Sequence, residues 1–368
     1  MKKEYVKTIC IGMLLTGTMT ACEKDDNNGS SPDFPTTSSG AFVLCQGNYY
    51  NSIPGSLTAI DYETGQSEVG IFEKVNSRSL GDTPQCIVSY GSKLYIGTYA
   101  SNTIEIVDRS TFRSIKQLKP GDNGIEGTQP RSMVTHEGKV YISMYDGYVA
   151  CLDTLTQTIT KSVKVGPNPD KIALFQGKIY VPNTDGMSYP VLGDTYSVIN
   201  ESTFTLEGTY KCPLNPDSFY AAGDHLFILC RGNYAAMDSP EYVPSAIYEI
   251  TGNGESSYIA NATIMTASDK TIYMVDDPFY GSGEASYKKY DIKSGKTTDW
   301  IIQQPEYAQG LAIDPVTNDI LISSLVRDGQ YPSFNAPGYV VRYDGENDRW
   351  LQKFNVGSGP TAIAFNTK

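Results

Sequence analysis

From about residue 40 onward, apolar and polar positions alternate in short runs, and the runs recur. Pro84-Gln-Cys-Ile-Val-Ser-Tyr-Gly-Ser-Lys-Leu-Tyr-Ile aligns with Pro130-Arg-Ser-Met-Val-Thr-His-Glu-Gly-Lys-Val-Tyr-Ile. Pro169-Asp-Lys-Ile-Ala-Leu-Phe-Gln-Gly-Lys-Ile-Tyr-Val and Pro216-Asp-Ser-Phe-Tyr-Ala-Ala-Gly-Asp-His-Leu-Phe-Ile continue the series. Weaker copies begin at Ala262 and Ala308, and a half-copy begins at Pro360, with spacings between 39 and 52 residues. Each copy reads as an apolar strand, a Gly-containing turn, a second strand such as 93–99, a variable loop, an alternating strand such as 104–108, a polar turn and a fourth, more polar strand. Four short strands at a period in the forties mark a propeller blade, and the period-two alternation gives each sheet two packing faces.

The two ends complete the pattern. The chain stops at Lys368 after one strand, whereas residues 41–46 and 55–61 read as the second and third strands of a blade that lacks its first. The halves combine into one blade, and joining them closes the ring without leaving an open edge. The expectation is an all-β fold: a seven-bladed β-propeller of four-stranded blades, closed by pairing the N- and C-terminal strands in one blade, over residues 40–368.

The first 40 residues are of another kind. Lys2, Lys3 and Lys7 precede an apolar run from Ile9 to Leu15, which is too short to span a bilayer and reads as a signal peptide over residues 1–21. Met19-Thr20-Ala21-Cys22 resembles a bacterial lipobox, which implies cleavage before Cys22 and lipidation of its thiol. Residues 22–39 are acidic at first, then rich in Ser, Pro, Thr and Asn, and read as a disordered tether. The net charge is −12, and about −14 once residues 1–21 are removed. That balance disfavours nucleic acid and anionic membrane as partners of the body, leaving the N-terminal lipid as the membrane contact. Five cysteines, Cys45, Cys86, Cys151, Cys212 and Cys230, are scattered along the body, and their spacing suggests neither a disulfide framework nor a metal site.

In an antiparallel blade that begins at one end, the loops between second and third strands emerge at that same end. These loops are long here (47–54, 183–194, 231–242, 276–283 and 326–335) and rich in Tyr, Asn, Asp and Gly, whereas the turns at the other end are brief. Tyr and Asn on loops make adaptable hydrogen-bonding surfaces with rigid aromatic anchors. The residues after the repeat prolines, Gln85, Arg131, Asp170 and Asp217, should flank the channel mouth at the looped end. Candidate ligand contacts are Tyr49, Tyr50, Tyr99, Arg131, Tyr145, Asp185, Tyr189, Arg231, Tyr234, Tyr280, Arg327 and Tyr331. The two histidines, His136 and His225, fall in the opposite turns, so the looped face has carboxylates but no histidine base. With no catalytic motif present, the reading expects no catalytic residues, no metal and no cofactor.

The prolines heading strands, followed by Lys-Leu-Tyr-Ile or Lys-Val-Tyr-Ile, resemble the YncE-like or YVTN-repeat propeller family over about residues 40–368. With the lipobox and the acidic cluster Glu23-Lys24-Asp25-Asp26, the chain is similar to surface-layer-type propeller lipoproteins of Bacteroidetes. That resemblance implies an outer-membrane, lipid-anchored protein facing the cell exterior. A BtuG-like branch of the group implies capture of cobalamin for a TonB-dependent outer-membrane transporter. A glycan-binding or protein-interaction scaffold is the alternative, and a propeller hydrolase or lyase the third.

Overall fold

The computed structural model describes residues 35–278, 285–329 and 331–368. They form seven four-stranded antiparallel sheets arranged as a ring, a seven-bladed β-propeller. Blade 2 shows the plan: Pro84–Tyr90 innermost, then Lys93–Thr98, Thr103–Asp108 and Ser114–Leu118. The innermost strands of blades 3 to 7 are Pro130–His136, Ala173–Phe175, Pro216–Ala222, Ile264–Ala267 and Tyr307–Ile313. All the expected copies are therefore blades, including the two weak ones. Blade 7 adds a short fifth strand, Tyr331–Ser333, and a six-residue helix, Ile71–Asn76, which the repeat did not announce, joins blades 1 and 2.

Blade 1 is the shared blade. Its innermost strand is the C-terminal Pro360–Thr367, paired antiparallel with the N-terminal Ser38–Cys45, with Val43 opposite Ile363. The first strand thus begins within the segment expected to be tether; the signal peptide and residues 22–34 of the tether, Cys22 included, lie outside the described residues. Beyond the ladder, Ser38 Oγ donates to Asp314 Oδ2 at 2.5 Å and the Tyr62 hydroxyl to the same oxygen at 3.4 Å, tying blade 1 to blade 7. The Arg342 guanidinium lies 3.7 Å above the Tyr62 ring while its Nε donates to Asp319 at 2.7 Å.

Seven apolar clusters fill the seven junctions between neighbouring blades. Strand alternation explains how. In Lys93–Thr98, Leu94 and Ile96 face Phe42 and Leu57 of blade 1, whereas Tyr95 faces Val140 and Ile142 of blade 3. A second strand is apolar on both faces because both are covered, whereas the outermost strands, such as Lys296–Asp299, are exposed and polar.

The outer turns at the brief end share one device. Where the third strand ends, the side-chain oxygen of Asp61, Asp108, Asp153, Asn200, Asp291 or Asp344 accepts a backbone N–H two or three residues on, closing an Asx-type turn. Asp153 also pairs with Lys139, and that bond is the main reason its carboxyl pKa falls from 3.8 to about 2.

Two outcomes follow. A chain ended at Gly359 has no inner strand for blade 1, and its chemical denaturation should lose the single cooperative transition of the full body. Lys139→Met should lower the urea midpoint at neutral pH. Because the folded Asp153 pKa is depressed, that gap should shrink as pH falls from 3.8 toward 2.

Candidate ligand-binding site

The end of the ring that carries the long loops is built by a repeated entry device. The residue before each repeat proline (Thr83, Gln129, Asn168, Asn215 and Gly359) adopts a positive φ between 48° and 63°. For four of them this is a left-handed conformation that costs a non-glycine residue energy, and something must hold it. Each carbonyl accepts a backbone N–H from the start of the second-to-third-strand loop of the same blade. The donors are Tyr99 (2.9 Å), Tyr145 (3.0 Å), Thr184 (3.4 Å), Arg231 (2.8 Å) and Gln46 (2.8 Å). The kink therefore staples each loop root to the mouth of the ring.

One residue further on, the chain bulges. In blades 2, 3, 5, 7 and 1 the ladder skips a residue between the proline (Ala308 in blade 7) and the second residue after it. The skipped residues are Gln85, Arg131, Asp217, Gln309 and Thr361. A bulge re-aims the side chain it carries, and all five line the central channel, with Asp170 and Thr263 from blades 4 and 6. The channel has a volume of about 600 Å³.

The ring of side chains is electrostatically lopsided. Blades 3 to 5 contribute Arg131, Asp170, Lys171, Asp217 and Arg231, whereas the remaining arc presents Thr263, Gln309, Thr361, Gln46 and Gln85. Arg131 pairs with Asp170, and Arg231 Nε donates to Asp217 Oδ1 at 2.6 Å. Burial pushes the Asp170 carboxyl above the ordinary range, outweighing Arg131, and the neighbouring Asp217 charge adds to it. Asp217 is held below the ordinary range: burial opposes this, but Arg231 and the Ser218 hydroxyl outweigh it. Lys171 Nζ donates to the Tyr220 hydroxyl at 2.6 Å. Its backbone leaves blade 4 to bridge Ser218 of blade 5 in parallel, which swings the ammonium into the channel.

Above this mouth the loops carry aromatic rings. Tyr99 and Tyr145 meet edge to face with centroids 5.3 Å apart, and the Arg131 guanidinium lies 4.9 Å from the Tyr145 ring and 5.7 Å from that of Tyr99. Tyr189 and Tyr234 are 5.9 Å apart, and Asn215 Nδ2 donates to the Tyr234 hydroxyl at 3.4 Å. Tyr49 and Tyr50 form a third pair on a loop that Asn48 and Asn51 bind to Asn335 of blade 7 at 2.9 and 2.8 Å. Tyr49, Tyr50, Tyr189, Tyr234 and Tyr331 are 63 to 93 % exposed. The expected contacts thus resolve into three tyrosine pairs and two arginine–carboxylate pairs. Asp185 instead accepts the Ser188 hydroxyl at 2.7 Å within its own loop, and Arg327 stacks on Tyr307 at 5.0 Å. Tyr280 lies outside the described residues. His136 and His225 sit at the opposite end, each 2.6 Å from a carboxylate, Glu201 and Glu249.

The sequence profile described as "Domain of unknown function (DUF5074)" matches residues 39–358. The chain belongs to the DUF5074 family. No curated protein matches it in sequence. Among solved structures, this DUF5074 propeller is similar to hydrazine synthase from Kuenenia stuttgartiensis (TM-score 0.58, 15 % identity, covering 76 % of this chain and 89 % of that one). It is also similar to apo AztD from Citrobacter koseri (TM-score 0.56, 12 % identity, covering 90 % and 99 %). At such identities the likeness concerns the fold.

Several channel residues were not singled out from the DUF5074 sequence, although signals existed. Lys171 stands where the other proline-headed copies carry small residues, Cys86, Ser132, Ser218 and Ala362. Gln46 is the counterpart of Arg231 in a repeated phrase, Cys45-Gln-Gly-Asn-Tyr49 against Cys230-Arg-Gly-Asn-Tyr234. In both copies the glycine has positive φ, and a Cβ would stand 2.2 Å from the Ile53 carbonyl oxygen at Gly47 and 2.0 Å from that of Val243 at Gly232. The phrase is thus a loop-root motif that aims its second residue into the channel.

Replacing Arg131 by Met would leave the Asp170 carboxylate without its cation. Urea denaturation should show a loss of about 3 kcal/mol, most of it recovered by adding Asp170→Asn. Equal losses in the single and double variants would contradict the pairing.

Proposed function

We propose that this DUF5074 propeller is a ligand-capture protein that binds at its looped end and does no chemistry on what it binds. The observation that carries this reading is the coincidence, at one end of the ring, of a polar channel mouth and a set of tyrosines left exposed in pairs. Exposed aromatic pairs on loops whose roots are stapled to the ring offer flat apolar faces at little cost in ordering. The charged and amide groups below them supply the few directed hydrogen bonds that fix orientation. Both histidines are remote from this end, and each channel arginine is tied to a carboxylate, an arrangement suited to recognition.

The ligand this surface fits is broad, largely neutral and rich in amide or hydroxyl groups. A corrinoid such as cobalamin has that chemistry: an apolar rim for the tyrosines and amide arms for Gln85, Gln309 and the channel ion pairs. The YncE-like, BtuG-like character of the sequence favours the same class. The lipobox and acidic tether favour a lipid-anchored protein outside the outer membrane, delivering its ligand to a TonB-dependent transporter. The tyrosine pairs would also suit a glycan, whose sugar faces stack on aromatic rings.

Calorimetry on the body from residue 35 with cyanocobalamin should give saturable binding. Joint replacement of Tyr189 and Tyr234 by Ala should weaken it at least tenfold, about 1.4 kcal/mol. Binding of oligosaccharides but not of cyanocobalamin would transfer the site to glycans. Unchanged affinity in the double variant would remove the looped end from the proposal.

A further inference from the structure

Blade 4 departs from its siblings where it enters the channel. The innermost strands of blades 2, 3 and 5 pair with their second strands from the proline onward, whereas that of blade 4 joins its ladder only over Ala173–Phe175. The three residues before it are tied to three different blades. Asp170 N–H donates to the Pro182 carbonyl of its own blade at 3.3 Å. Lys171 bonds to blade 5, its N–H donating to the Asp217 carbonyl at 3.1 Å and its carbonyl accepting from Phe219 N–H at 2.9 Å. Ile172 N–H donates to the Ser132 hydroxyl of blade 3 at 3.3 Å. Blade 4 thus gives up regular ladder bonds. The result is a lysine in the channel at a position where the other proline-headed copies carry Cys86, Ser132, Ser218 and Ala362.

The charges around that lysine do not cancel. Among the described residues, two carboxylates line the channel, Asp170 and Asp217, against three cations, Arg131, Lys171 and Arg231. Each carboxylate is paired with an arginine. Lys171 is exposed, and the group that holds its ammonium is neutral: Nζ donates to the Tyr220 hydroxyl at 2.6 Å and lies 4.2 Å from the centre of that ring. An ammonium has three N–H donors, and the hydroxyl takes one of them. The opposite arc brings uncharged side chains, Gln85, Thr263, Gln309 and Thr361. A channel of about 600 Å³ in a chain of net charge −12 therefore carries one positive charge that no channel carboxylate offsets.

We propose that Lys171 is the docking point for an oxyanion, a carboxylate or phosphate group, held in the channel mouth between blades 4 and 5. The proposal rests on the capture reading for the place of binding and adds a charge requirement. The captured molecule, neutral over most of its surface, presents one anionic group to this lysine. An oxyanion there accepts from the ammonium donors that Tyr220 leaves over, and such charge-assisted bonds are stronger than those between neutral groups. The backbone bonds of residues 170–172 to three blades fix the lysine's root before the ligand arrives.

The test titrates the purified protein by calorimetry, at constant ionic strength, with inorganic phosphate, p-nitrophenyl phosphate and p-nitrobenzoate. The proposal expects saturable binding of at least one of these anions. Lys171→Met should weaken it about tenfold, the scale of one hydrogen bond to a charged group. Lys171→Arg should restore most of the affinity. Lys161→Met removes a lysine that lies over Phe204 near the brief turns and should leave binding unchanged. Binding confined to the two p-nitrophenyl compounds would place the anion on an arm of a larger molecule; equal binding of inorganic phosphate would mark a site for the free ion. No saturation by any of the three, equal affinity in Lys171→Met, or a loss in Lys161→Met instead would overturn the proposal. Cyanocobalamin is absent from every titration, so a failure here leaves the capture reading standing, and a failure of cyanocobalamin to bind leaves this result standing.

Discussion

The structure depends on one strand pairing, that of Ser38–Cys45 with Pro360–Thr367. A propeller sheet has two faces to cover, so every blade needs a neighbour on each side. A row of blades satisfies this everywhere except at its ends. Pairing the two termini inside one sheet abolishes those ends, and the Asp314–Ser38–Tyr62 contacts add a polar tie across the last junction. Once the ring is closed, the inner strands converge on an axis, and whatever the chain places at their first residues is gathered at one mouth.

That geometry turns a local backbone event into a site. The left-handed residue before the proline, its carbonyl bond to the loop root and the bulge after the proline recur in most blades, each with modest energetic content. Sevenfold arrangement makes them a ring of aimed side chains. Their identities differ by blade: Gln85 and Gln309 stand where Arg131 and Asp217 stand elsewhere. A charged arc therefore faces a neutral one across the channel. The arc's charges are mostly internal pairs, in keeping with a body that is acidic overall yet offers a nearly balanced mouth.

Much of this was legible in the sequence because it repeats. The copies beginning at Pro84, Pro130, Pro169 and Pro216 gave the blades, and the complementary half-copies at the two ends gave their number and the closure. Antiparallel order alone assigned the long loops and the two histidines to opposite ends. What pattern could not give was side-chain meeting across blades. The edge-to-face pair of Tyr99 and Tyr145 comes from loop roots in different blades, as does the approach of Tyr189 to Tyr234. Lys171 was missed because its exposure to the channel depends on a parallel bridge to the next blade. The helix Ile71–Asn76 lies in a connection that no other copy repeats.

On the capture reading proposed above, the looped end, around the channel mouth, is where this propeller meets its ligand. Hydrogen–deuterium exchange of the body with and without saturating cyanocobalamin tests it most directly, because it reports every surface at once. Slowed exchange is expected in the loops 183–194 and 231–242 and in the strand entries near 130, 169 and 216. Protection instead in the brief turns around His136 and His225, or in no segment at all, would contradict it.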